Sequence, residues 1–290
     1  MLLWDIWLAT TILLKLIIYI SSFMATGSML FILMVQPTLN TLRKNLFNIT
    51  FVMCLIALVT TAISIPLQAG QMLDNGIVGM MDREMLQLVV QGPSGMSSFI
   101  RVIGLLSLIG AAFYISMHLI LIPIGTFMVA LSFALTGHAT EQAVWLNGLL
   151  ILHILAVSYW IGGLWPLHLL SKSIDTRLMA GQLAHRFSKQ AVYIVPILIV
   201  AGVILAAVLL GSFQALLASL YGWVLIGKIS AVCVLLTLGA LNKLALVPSL
   251  LKADGRAAKH LRLSIGFEGI IFFIILVITA SLTSAITPPR

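Results

Sequence analysis

Apolar residues run along this chain in long unbroken stretches, and the polar residues gather between them. The runs occupy 6–35, 49–68, 99–117, 119–136, 144–170, 191–210, 221–244 and 265–286. Each approaches or exceeds the roughly 20 residues that a helix needs to cross a hydrocarbon core. The third and fourth runs nearly merge around His118. A single helix of about 38 residues there would be roughly 57 Å long against a core of about 30 Å, so two spans are predicted. The pattern therefore predicts an all-α, polytopic membrane bundle of about eight helices, read as a single integral membrane domain over 1–290.

The charges between the runs test that count, because alternate loops must fall on one side of the membrane. Arg43 and Lys44 follow the first span. Lys172, Arg177, Arg186 and Lys189 follow the fifth, and Lys252, Arg256, Lys259 and Arg262 follow the seventh. These three loops share one parity only if the third and fourth runs are separate helices. The opposite parity carries Asp74, Asp82, Arg83, Glu84 and Glu141, with Arg101 at a helix start. The basic loops are thus expected in the cytoplasm and both termini outside. The largest outer segment, 69–98, holds Gly70, Asn75-Gly76, Gly92-Pro93 and five methionines, and reads as turns around a short amphipathic helix lying on the membrane.

Composition narrows the function classes. Of 290 residues, 61% are hydrophobic and 8% charged, where a soluble domain carries about a quarter charged residues. The net charge of +8 is scattered between spans rather than gathered on one face, so it reads as topology and not as a nucleic-acid surface. Cys54 and Cys233 lie far apart in apolar stretches and offer no disulfide framework or metal clip. Asp5 before the first run and Lys15 within it are unlike a cleaved leader, so that run is expected to be retained. There is no HExxH, Walker A or GxSxG motif, which leaves metalloprotease, ATP-driven pump and serine hydrolase without their chemistry.

Ionisable groups inside the spans are costly and mark functional positions by default. Lys15 and Lys228 are expected to snorkel to the outer interface, and Lys243 and His168 to the inner one. Glu268 reads as one turn into the last span, where a carboxylate suits the helix dipole. His153 differs, since it lies roughly 13 Å below the outer end of its span. Trp160 shares its face to within about 20°, and Gly162 and Gly163 open the same helix to close approach. His138 and Glu141 stand just outside, on the short connection before it. Imidazole binds copper, zinc, iron and nickel, and thioether sulfur favours Cu(I). His138, His153 and Met72 are therefore the candidate metal ligands, with Gln71, Trp160, Gly162, Gly163 and Glu141 shaping a pathway.

The run Thr136-Gly137-His138-Ala139, followed by His153, Ala156, Trp160, Gly162-Gly163-Leu164 and Pro166-Leu167, resembles the copper resistance protein D (CopD) family. Weaker agreement covers Gly27 and Pro37, Leu67 through Gly70, Arg101, and Gly239 through Lys243 to Pro248. The resemblance implies an inner-membrane protein that moves copper, Cu(I) or Cu(II), from periplasm to cytoplasm beside a periplasmic CopC-type copper-binding protein. It implies no enzyme activity and no organic cofactor. Family members commonly carry a histidine in the first helix where this chain has Ile18, so the implied site rests on the fourth and fifth spans. The alternatives are a bis-histidine haem cytochrome or reductase, and a membrane partner of the copper carrier that transports nothing.

Overall fold

Hydrocarbon offers no water to backbone N–H and C=O groups, so an apolar run satisfies them by coiling on itself. The computed structural model describes residues 2–38, 40–73, 76–136, 144–173, 175–252 and 255–286. The helices are α1 (Leu2–Val35), α2 (Asn40–Leu73), α3 (Arg83–Gln91), α4 (Pro93–Phe113), α5 (His118–Ala134), α6 (Val144–Leu170), α7 (Arg177–Leu210), α8 (Phe213–Ala218), α9 (Leu220–Leu241), α10 (Val247–Leu251) and α11 (Gly255–Leu282). No strand occurs among the described residues. Seven of the helices are long and apolar enough to cross a membrane, and α5, at 17 residues, is a shorter apolar eighth. The break expected near His118 is present: α4 ends at Phe113, a 3-10 turn covers Ile115–Met117, and α5 starts at His118.

Several helices begin before their apolar runs. α7 starts at Arg177 rather than 191, α11 at Gly255 rather than 265, and α2 at Asn40 rather than 49. Hydropathy marks where lipid begins, whereas helix continues wherever a packing face continues. Ala180, Leu183 and Ala184 are buried along the charged start of α7, and Gly181 lies against Leu250 and Leu251 of α10. Much of each expected basic loop is thus helix carrying its charges at one end of the bundle, called the basic end below. At the other end, α2 runs on to Leu73, a 3-10 turn spans Gly76–Met81, and α3 begins where the Asp82 carboxylate accepts from the Met85 N–H at 2.9 Å. The short helix expected in 69–98 is α3, and α4 follows it directly at Pro93.

The helices sort into a centre and a rim. α1 packs on α2, α5, α6 and α11, and its most apolar stretch is 67% buried, against 11% for α7 and for α9. Small residues let α1 come close: Gly27 touches the backbone of Ser158 and Gly162 in α6, and a Cβ on either glycine would meet the other helix's backbone at 2.0 Å or less. Two polar links tie the same helices near the basic end. Tyr159 donates to Gln190 of α7 at 2.5 Å, and Gln190 donates to the Met34 carbonyl of α1 at 2.7 Å. Past α9 the chain widens into a π turn over Asn242–Leu246, just before Pro248, which withholds a backbone N–H from the ladder.

Candidate functional site

α6 carries His153, and its ring is held against α7. His153 Nδ1 lies 3.2 Å from the carbonyl of Leu198 in α7. A carbonyl only accepts, so Nδ1 is the protonated nitrogen and the Nε2 lone pair is left for a ligand. The imidazole lies over Gly202 of α7, where a Cβ would approach its Cε1 to 3.1 Å. Gly202 therefore leaves the space that the ring occupies, a role its sequence context does not advertise. Lys228 of α9 is near enough to act electrostatically on the same imidazole. Lys228 is half-buried on this side of the bundle.

Two turns further along the same face of α6, the indole of Trp160 donates to Glu268 Oε2 of α11 at 2.9 Å. Asn242, where the π turn begins, donates to Glu268 Oε1. Glu268 is 2% exposed and lies well inside α11, not one turn from its start. The early onset of α11 is what overturns the dipole reading. Trp160 also covers Gly239 of α9, where a Cβ would meet the ring at 2.9 Å. Between His153 and this cluster lie Ala156, Leu198, Leu235, Phe272 and Ile275. The α6–α7–α9–α11 side thus holds one imidazole, an apolar stretch, and then a buried carboxyl with two neutral donors.

A second polar region occupies the other side, at the end away from the basic loops. There a cavity of about 590 Å³ is walled by α1, α2, α4, α5, α6 and α11. Lys15 lines it and donates to the Thr283 carbonyl, just past the end of α11, at 2.7 Å. Arg101 donates to the hydroxyls of Ser97 and Ser132, each at 3.2 Å, and its guanidinium stacks 4.5 Å from the Phe133 ring centre. Ile18, at the position of the first-helix histidine implied by the resemblance, lines this cavity.

The structure separates the sequence candidates. Gln71 is at the cavity, donating to Thr11, while Met72 beside it is 57% exposed. Both are on α2, which packs on α1, α4, the 3-10 turn at Gly76–Met81 and α3, so neither is brought to His153. Gly162 is spent on the crossing with Gly27, and Gly163 on the ring of Phe187 in α7. His138 and Glu141 lie outside the described residues. Among the described residues, no three side chains of His, Cys, Asp and Glu come together as a metal cluster. Cys54 and Cys233 are both free thiols.

Two family comparisons cover most of the bundle. Residues 4–148 match the copper resistance protein D-like N-terminal domain, and residues 181–282 match copper resistance protein D. The chain belongs to the copper resistance protein D family. It is a multi-pass membrane protein of a copper resistance and homeostasis family, which is not a family of known enzymes. No curated protein and no solved structure matches it. The region between the two matches includes Trp160, Gly162 and Gly163, and His153 lies just beyond the first match.

Proposed function

We propose that this copper resistance protein D family member passes copper across the bacterial inner membrane, from periplasm to cytoplasm, with His153 as its intramembrane ligand. The whole chain acts as one integral membrane domain, with both termini in the periplasm. Copper is delivered by a small periplasmic CopC-type copper-binding protein to the outer end, where His138, Glu141 and Met72 receive it. From there it travels on the α6–α7–α9–α11 side. The observation that carries this reading is the contact of His153 Nδ1 with the Leu198 carbonyl, which makes Nδ1 the donor and leaves Nε2 without a hydrogen-bond partner among the described residues.

The chemistry supports transit rather than storage. A permeating ion needs binding strong enough to select it and weak enough to release it. Two or three imidazole or thioether ligands satisfy that better than a closed cage of four. Beyond His153, the side chains of Trp160 and Asn242 hold Glu268 in place, and its carboxyl is an oxygen ligand on the basic side of the apolar stretch. Glu268 thereby extends the pathway that His153 begins.

Copper X-ray absorption on the purified full-length protein tests the ligand assignment. Wild type is expected to show nitrogen scattering from imidazole, and His153→Ala to lose that contribution at equal yield of folded protein. Retention of the same imidazole signal in the variant would remove His153 from the site.

A further inference from the structure

The cavity opposite the basic loops carries positive charge with nothing described to balance it. Two cationic side chains line it, Lys15 from α1 and Arg101 from α4, and no aspartate or glutamate is among its described lining residues. Arg101 is only 7% exposed. Its partners are the neutral hydroxyls of Ser97 and Ser132 and the face of Phe133, so two of its five N–H donors are used among the described residues. Lys15 spends one donor on the Thr283 carbonyl. A buried cation such as Arg101 with no counter-charge among the described residues is expensive, and in membrane bundles such a group usually marks a ligand or an ion path. The remaining polar wall is neutral, contributed by Tyr19, Gln68, Gln71, Ser94 and Ser98.

We propose that this cavity binds an amphipathic organic anion, a carboxylate or phosphate head seated between Lys15 and Arg101 with an apolar body against Leu14, Phe23 and Leu150. Charge selects the head, since an oxyanion accepts charge-assisted hydrogen bonds from both cations at once. Size selects the body: about 590 Å³ is the volume of a site for a small organic molecule, much more than a bare inorganic ion fills. The cavity is distinct from the copper pathway, because Leu150 and Ile154 of α6 line it whereas His153 faces α7. A bare copper cation is repelled from it. The head group belongs either to a soluble organic acid or to an anionic lipid, and the two sources share the same recognition chemistry.

The full-length protein in a neutral maltoside detergent allows a direct test. Thermal unfolding is followed with sodium octanoate and, in parallel, octylammonium chloride, and native mass spectrometry follows phosphatidylglycerol against phosphatidylcholine. At least one anion is expected to bind in preference to its cationic or zwitterionic counterpart. Lys15→Gln is expected to weaken that binding by about tenfold, the loss of one charge-assisted hydrogen bond. Leu150→Trp, which fills the cavity from α6 without touching either charge, is expected to do the same, so the proposal does not hang on a variant at Arg101 that fails to fold. Phosphatidylglycerol retained and displaced by octanoate makes the occupant a lipid; octanoate binding without lipid retention makes it a soluble acid. Equal effects of octanoate and octylammonium with no lipid preference, or anion binding undiminished in both variants, would overturn the proposal.

Discussion

Glu268 accepts from the buried indole of Trp160 and from the half-buried amide of Asn242. Removing that acceptor strands the buried Trp160 N–H, at about 1–3 kcal/mol, and takes the partner from the half-buried Asn242 amide as well. Glu268→Ala is therefore expected to lower the thermal midpoint in detergent substantially. Glu268→Gln should cost less, because the glutamine oxygen still accepts from Trp160 and a flipped Asn242 amide would accept from the new N–H₂, with the Asn242 N–H₂ then taking the place of the partnerless Oδ1. Equal losses in the two variants would contradict this hydrogen-bond scheme. The residue scale is also where sequence reading reached unevenly. The stripe of His153 and Trp160 was legible from helical spacing, since both belong to one helix. Glu268 was visible only as a charge in an apolar run, because its partners come from α6 and α9 and pairing between distant helices leaves no local pattern. Gly202 left no signal either, as its role depends on which residue of α6 lies above it.

At the scale of elements, the α1–α6 crossing depends on two glycines that have no space beside them. Gly162→Val is expected to abolish correct folding, because its Cβ alone would sit 2.0 Å from the Gly27 backbone. Gly227→Ala, where nothing lies within 4 Å, should be tolerated or stabilise α9 by up to about 1 kcal/mol, the helix-propensity difference. The yield of monodisperse protein after detergent extraction separates the two, and equal yields would contradict the crossing. Periodicity and run length made the spans themselves readable, including the break at His118. Helix starts were not, since α2, α7 and α11 continue into charged sequence where their small residues pack on neighbouring helices. The double glycine looked equally suited to a passage or to a close contact, and only the position of Gly27 and Phe187 decides between them.

For the whole molecule, charge asymmetry gives the orientation a direct check. With Cys233→Ser removing the exposed native thiol, Val78→Cys in the outer segment and Lys172→Cys at the basic end are both on exposed positions. A membrane-impermeant maleimide applied to intact spheroplasts is expected to label position 78 and to reach position 172 only after permeabilisation. The reverse pattern would invert the bundle and the direction of transport. The two polar regions are separate, with the cationic cavity on the α1–α2–α4 side and His153 on the α6–α7–α9–α11 side. The central claim is that copper crosses by way of His153. Copper entry into proteoliposomes holding equal amounts of folded wild type and His153→Ala tests it most directly. The account predicts flux in the wild type that falls to the protein-free rate in the variant; undiminished flux through His153→Ala would contradict it.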